Sequence, residues 1–286
     1  MTALFKLLSF LPLWLLHGLG WCMGWLAFLA SPTYRGRFLA NVAQAALAPA
    51  QWRGAVGAAG QLVCELPRLW LGAPVPARWE GAEHVDAALA QDRGIIFLTP
   101  HLGCFEIAAQ AYASRYGVGK KPMTVLFRPP RQAWLVPLVS RSRAREGLQT
   151  APTTLAGVKQ MIKALKRGEC VGLLPDQVPP AGQGVWTPFF GRDAYTMTLA
   201  VRLAAQTGAT VLLAWGQRLS WGRGFVVHIQ PLAQALSADV PEATAQINAA
   251  MESLVRAAPH QYLWGYARYK EPRALPAVPN APGNVA

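Results

Sequence analysis

The chain has 286 residues, 52% of them hydrophobic and only 14% charged, with 27 Lys and Arg against 14 Asp and Glu for a formal net charge of +13. That length buries a sizeable core, while a charged fraction far below the usual figure of about 25% leaves little polar surface and suits a protein partly solvated by lipid. The basic balance favours an acidic partner, but eleven Trp, a mean hydropathy of +0.20 and the absence of any standard nucleic-acid motif point away from nucleic acid and toward a membrane.

The N-terminal stretch from Leu7 to Ala30 holds no formally charged residue, and about 20 apolar residues are enough to cross a bilayer. Residues 1–33 therefore read as a hydrophobic membrane-anchoring helix. Pro12, His17 and the glycines Gly18, Gly20 and Gly24 leave open whether it spans or dips in. A cleaved signal peptide and a buried core helix are the competing readings, the first weakened by length and by the lack of a small-x-small exit. Lys6 precedes the stretch, while Arg35, Arg37 and Arg53 follow it, which places the rest of the chain on the cytoplasmic side of the membrane.

Beyond residue 34, strand-like and helix-like stretches alternate, the pattern of an α/β domain with a mainly parallel central sheet flanked by helices, expected over 34–271. The runs 94–99, 122–127 and 170–174 are rich in β-formers and are the candidate central strands. Between them Leu155, Val158, Ile162 and Leu165 recur at helical spacing opposite Lys159, Lys163, Lys166 and Arg167, which predicts a surface helix with a basic face. A helix over 198–206 before Gly208, a long strand over 209–219, a turn at Trp221-Gly222-Arg223-Gly224, a strand over 225–229 and a helix over 241–257 follow. Residues 272–286, Pro- and Ala-rich, read as a disordered tail.

Four cysteines, Cys22, Cys64, Cys104 and Cys170, lie far apart with no C-x-x-C pair, so neither a metal site nor a disulfide framework is indicated, and no cofactor motif occurs. No G-x-S-x-G elbow is present, which disfavours a serine hydrolase. The chemistry is expected instead at His101, which follows the strand 94–99 after one Pro, with Glu106 five residues further on at the start of a helix. Sites in open α/β sheets collect beyond the carboxyl ends of strands. A histidine there serves as a general base, and Glu106 is the natural carboxylate to accept its other ring N–H and fix the tautomer. Spacing alone leaves a capping or merely hydrogen-bonded histidine open, and Cys104 on the same loop remains a conceivable nucleophile. Asp176 follows another predicted strand at the same sheet edge, as a site-shaping or acceptor-orienting group or as an ordinary turn cap. From Ile107 to Arg145 the chain has no Asp or Glu but eight basic residues. Arginine forks suit phosphate, which makes Arg128, Arg143 and Arg145 candidate binders of a phosphorylated acceptor, with a general anionic-lipid or carrier-docking patch as the alternative.

Several blocks occur in order along the chain: Trp79 to His84, Gly94 to Gly103 with Glu106, Leu126-Phe127-Arg128-Pro129, Leu173 to Gln177, Thr187 to Gly191, and Gln261-Tyr262-Leu263-Trp264 with Arg268 and Lys270. Together, over roughly residues 5–271, they resemble the bacterial lipid A late acyltransferases. The resemblance implies transfer of a fatty acyl chain from an acyl carrier protein thioester to a hydroxyl of a lipid A precursor at the inner membrane. In that picture His101 is the base and Glu106 aligns it, with no covalent intermediate and no cofactor. A glycerophospholipid acyltransferase shares a His-x4-acid pattern but has Asp as the acid and a Pro-Glu-Gly-Thr block, where Glu106 and Pro175-Asp176-Gln177 stand here. A membrane-anchored lipid-binding protein without catalysis is the rival of another class.

Overall fold

A computed structural model describes residues 2–119, 121–127 and 146–274. Four helices come first: α1 (Thr2–Leu8), α2 (Leu13–Ala30), α3 (Pro32–Gln44) and α4 (Pro49–Leu71). The sheet segments follow as β1 (Ala77–Glu80), α5 (Ala82–Ala90), β2 (Ile95–Leu98), α6 (Phe105–Tyr112), β3 (Met123–Phe127), β4 (Leu148–Pro152), α7 (Leu155–Lys166) and β5 (Cys170–Leu173). The last part comprises β6 (Gly184–Phe189), β7 (Arg192–Met197), α8 (Leu199–Thr207), β8 (Thr210–Arg218), β9 (Phe225–Pro231) and α9 (Val240–Ala257).

Seven strands form one sheet in the order β1-β9-β8-β2-β5-β3-β4, parallel at every pairing except the β8–β9 hairpin, and β6–β7 make a separate antiparallel hairpin. The expected α/β fold with a mainly parallel sheet is what is found. Central β2 shows why the runs read as strands: all four residues are buried, as a strand covered on both faces requires. Ile96 and Leu98 point into one core with Val171, Leu173, Met161, Met251 and Trp264. Ile95 and Phe97 point into the other with Val85, Ile107, Tyr112 and Leu212. Helix α7 exposes Lys159, Lys163 and Lys166 as expected, but its buried side is rotated from the expected one: Gly157, Met161, Ala164 and Leu165 are buried, Val158 and Ile162 are half-buried, and Leu155, in the first turn, is 71% exposed. Helix α9 starts where Asp239 accepts a hydrogen bond from the Glu242 N–H at 2.9 Å, the usual way to satisfy a free first-turn donor. Sequence patterning did not pick out α3, α4, β4 or the β6–β7 hairpin. Residues 272–274 carry no regular element, and the rest of the expected tail, from 275 on, lies outside the described residues.

Among the described residues α2 is the one helix long and apolar enough to cross a membrane. It does not stand away from the domain. It packs antiparallel along α4, through Gly20 against Gly60 and Gln61 and Gly24 against Val56 and Gly57, where backbone meets backbone and no side chain fits.

Candidate functional site

Parallel register builds the site. Leu98 of β2 pairs with Leu173 of β5 and with Leu213 of β8, so residues three positions past each partner emerge side by side at the carboxyl edge of the sheet. These are His101, Asp176 and Gly216. The expectation that His101 and Asp176 share one edge is met, and the two touch. His101 Nδ1 lies 2.7 Å from Asp176 Oδ1, and the His101 backbone N–H donates to Asp176 Oδ2 at 2.8 Å. The Tyr262 hydroxyl donates to the same Oδ2 at 3.2 Å.

The loop carrying His101 is fixed on every side. Its carbonyl accepts from the Leu263 N–H at 3.1 Å, Gly103 N–H donates to the Gln261 carbonyl at 3.0 Å, and Cys104 N–H donates to the Gly216 carbonyl at 2.7 Å. Gly103 has φ +59, and a Cβ there would collide with the Gly216 carbonyl oxygen. Only glycine combines that left-handed backbone with so close an approach. Beneath the loop, Arg218 grips Glu65 of α4 through two hydrogen bonds, Nη2 to Oε1 at 2.6 Å and Nε to Oε2 at 2.8 Å, and Nη2 also donates to the Gly103 carbonyl at 3.2 Å. His17 of α2 adds a contact to Glu65 at 3.0 Å. Burial would raise the Glu65 carboxyl, but Arg218 and His17 outweigh it and hold the group at about 2.

Asp176 is 2% exposed. Burial by itself would push its carboxyl up. The His101 charge, the hydrogen bonds from the His101 ring and backbone, and the nearby Arg268 prevail and lower it, so Asp176 is an anion at neutral pH. Tyr262 is driven up by burial and by that anion, which keeps its hydroxyl a donor. An anionic acceptor at Nδ1 places the ring proton there, leaving a lone pair at Nε2. The Gln177 amide nitrogen faces this lone pair at 3.0 Å and is the natural donor to it.

Glu106 differs from its expected position. The carboxylate at Nδ1 is that of Asp176, not Glu106, and with Gln177 at Nε2 both ring nitrogens are already engaged. Glu106 stands in the first turn of α6, where it accepts from the Trp70 indole N–H at 3.4 Å and lines a cavity. The cause is direction. His101 lies ahead of the helix and is drawn across to β5, whereas Glu106 is on the helix face that turns to the sheet. Cys104 has no access to solvent, and burial with the adjacent Glu65 charge pushes its thiol well up, which removes the thiolate that a nucleophile needs. Arg128, Arg143 and Arg145 lie outside the described residues. Gln177, Tyr262 and the Glu65–Arg218 pair were missed as site residues. The first two stood in quoted motif blocks, but nothing local marked them as neighbours of His101.

The cavity, about 700 Å³, runs between α6 and the sheet, and its lining is overwhelmingly apolar. Thr99, Phe105, Glu106 and Leu174 lie at the carboxyl edge, and Met123 and Leu148, at the amino ends of β3 and β4, line the other end. The Phe105 ring packs edge-on to the His101 imidazole at 5.0 Å, so the cavity opens beside the histidine.

The profile of the bacterial lipid A biosynthesis acyltransferases matches residues 65–271. Among curated relatives, the lipid A biosynthesis lauroyltransferase of Escherichia coli K12 is 30% identical over 207 residues, covering 70% of this chain and 65% of that protein. The palmitoleoyltransferase of the same organism is 26% identical over 192 residues, 67% of this chain and 60% of its own length. A lipid A biosynthesis acyltransferase of Haemophilus influenzae is 28% identical over 184 residues, 64% and 56% of the two chains. The chain thus spans between 56% and 65% of the length of these relatives. The profile match takes in the whole sheet, the His101–Asp176 edge and the Gln261–Trp264 segment that holds it, and the chain belongs to the bacterial lipid A biosynthesis acyltransferase family.

Proposed function

We propose that this chain transfers a fatty acyl group from an acyl carrier protein thioester to a hydroxyl of a lipid A precursor of the lipid IVA type. The observation that carries the reading is the apolar cavity opening beside a histidine whose other nitrogen is held by a buried carboxylate. A hydrocarbon chain matches the cavity in polarity, and burying it is favourable by about 25 cal/mol for each Å² of apolar surface. The thioester carbonyl then lies at the cavity mouth near His101.

In the reaction His101 Nε2 takes the proton of the acceptor hydroxyl, and the oxygen attacks the thioester carbonyl. The C–S bond breaks as the new C–O bond is completed. The thiolate leaves, and the proton on Nε2 returns to it. Asp176 holds the ring in the tautomer that leaves Nε2 basic and stabilises the imidazolium formed midway. General base help of this kind is worth about 10²- to 10⁴-fold. The Gln177 amide occupies the place at Nε2 that the acceptor hydroxyl must take, so it swings aside as the acceptor binds. Glu106 supplies a second negative charge at the mouth, fixed by Trp70, and favours the same cationic ring. Arg128, Arg143 and Arg145 bind the acceptor phosphates, for which an acid-free basic stretch is suited. The reaction takes place at the inner membrane, with the site on the cytoplasmic side.

Purified full-length protein, mixed with acyl carrier thioester and the phosphorylated glycolipid, is expected to yield an acylated product by mass spectrometry, and His101→Ala is expected to yield none. Absence of product from the wild-type chain, or full product from the variant, would overturn the proposal. Lysophosphatidic acid as acceptor in the same mixture tests the glycerophospholipid alternative, and no product is expected from it.

A further inference from the structure

We infer that this protein docks on an anionic bilayer sideways, with α2 lying along the membrane surface rather than crossing it, and with Trp221 of the β8–β9 turn as a second point of insertion. The inference stands apart from the acyl-transfer reading and rests on packing.

Helix α2 has 18 residues, about 27 Å at 1.5 Å per residue, close to the roughly 30 Å of a hydrocarbon core. Length alone would therefore permit a span. The packing of its inner face does not. Leu13, Leu16, His17, Gly20, Gly24 and Phe28 are buried at successive turns. Their partners run antiparallel along α4: the Ser9 carbonyl just before α2 meets Arg68 and Gly72, His17 meets Glu65, Gly20 meets Gly60 and Gly24 meets Val56. Helix α4 is in turn fastened to the sheet by the buried Glu65–Arg218 pair. A bilayer thick enough to enclose α2 end to end would also have to enclose α4 and the β8–β9 turn, with exposed Arg53 and Arg223 and open loop backbone in contact with hydrocarbon. Such groups cost several kcal/mol each there.

The outer face of α2 is the opposite. Trp14, Leu19, Met23, Leu26 and Leu29 are all exposed by 45% or more, a run of large apolar side chains of the kind that marks a membrane or partner surface. Lys6 and Arg35 stand at its ends, the latter donating to the Leu29 carbonyl at 2.9 Å. Helix α2 is apolar all round, and because α4 covers its inner flank, an outer apolar flank with cations at both ends is left to lie against an anionic membrane interface.

Trp221 extends this face from an element far away in sequence. It is 86% exposed and has φ +60, a backbone region that a bulky side chain seldom occupies. Its neighbour Gly222 lies so close to the backbone of Leu13 and Trp14 that a Cβ would collide with it. The turn is thereby pinned to the first turn of α2. An indole held outward at a conformational cost, on a turn pinned to the backbone of the first turn of α2, fits the headgroup level of a bilayer, where Trp collects. Phe5 of α1 packs on Trp70, the residue whose indole N–H donates to Glu106.

Full-length protein with Cys22 and Cys64 changed to Ser, carrying Thr2→Cys, is added to preformed vesicles of phosphatidylethanolamine and phosphatidylglycerol and treated with a membrane-impermeant maleimide. Sideways docking predicts labelling without detergent to the same extent as an Asp193→Cys control on the β6–β7 hairpin. Labelling of position 2 only after detergent would overturn the inference. In the same background, Trp221→Cys bearing a nitrobenzoxadiazole fluorophore should shift to the blue on vesicles and be quenched by brominated acyl chains. An unchanged spectrum would overturn the role of the turn. Both readouts are repeated with His101→Ala, where they should be unaltered, so failure of the docking and failure of acyl transfer are seen separately.

Discussion

Asp176→Asn is the most direct test of how the histidine is held. In the wild-type protein one carboxylate oxygen accepts from the His101 N–H and the Tyr262 hydroxyl, and the other accepts from Nδ1 at 2.7 Å. An asparagine of the same shape satisfies the first two donors with its single oxygen and turns its NH2 group toward Nδ1. Two donors cannot face each other, so the ring proton moves to Nε2, and the lone pair that should take the acceptor proton is lost. The imidazolium also loses an anionic partner, a charge-assisted hydrogen bond worth about 1.5–3 kcal/mol. At about 1.36 kcal/mol per decade that alone is roughly 10- to 150-fold in rate. With the tautomer wrong as well, kcat should fall by about 10²- to 10⁴-fold. KM should change little, because Asp176 lies behind His101 and is not among the cavity residues. Initial rates over a range of donor and acceptor concentrations measure both, with product quantified by mass spectrometry and folding checked by circular dichroism. Glu106→Gln runs alongside: it keeps an acceptor for the Trp70 N–H, removes the charge, and should lower kcat by about tenfold or more, but less than Asp176→Asn. If Asp176→Asn kept near wild-type kcat while Glu106→Gln fell to background, Glu106 and not Asp176 would be the orienting carboxylate.

Breaking the buried pair under the His101 loop by Arg218→Met should cost about 3–5 kcal/mol, because the Glu65 charge is then left uncompensated, and chemical denaturation reads this directly. Glu65 has a depressed folded-state value near 2 against an ordinary 4.5, so its stabilisation is fully present above pH 4.5 and is lost as pH falls toward 2. At about 1.36 kcal/mol per unit that is on the order of 3 kcal/mol, and Glu65→Gln should flatten this part of the stability profile. Asp176, also depressed, contributes in the same acidic direction. Gly172 lines the cavity, and a Cβ there would sit 3.2 Å from Val125 Cγ1, so Gly172→Val should shift donor preference toward shorter acyl chains in a competition assay; an unshifted preference would mean that the chain lies elsewhere. Cys104→Ala should retain transfer within a few fold, since the buried thiol takes no part; complete loss in a folded variant would revive covalent catalysis.

The sequence by itself determined the α/β class, the positions of β2, β3, β5, α7, α8, β8 and α9 to within a residue or two, and that His101 stands just past the carboxyl end of a central strand. These are local properties: a run of β-formers, a helical repeat and a histidine just past a strand all appear within a dozen residues. Only the tertiary structure decided which acid touches Nδ1 of that histidine. Glu106 is five residues away along the chain, but the Leu98–Leu173 register brings in Asp176 from 75 residues away. Strand order in a sheet is set by long-range packing and leaves no local trace. The same holds for Glu65 and Arg218, separated by 153 residues and joined beneath the His101 loop. It holds for α2 as well. Its composition marks it as membrane-seeking, yet the glycine contacts that lay it along α4 depend on a partner helix whose place no hydropathy pattern specifies.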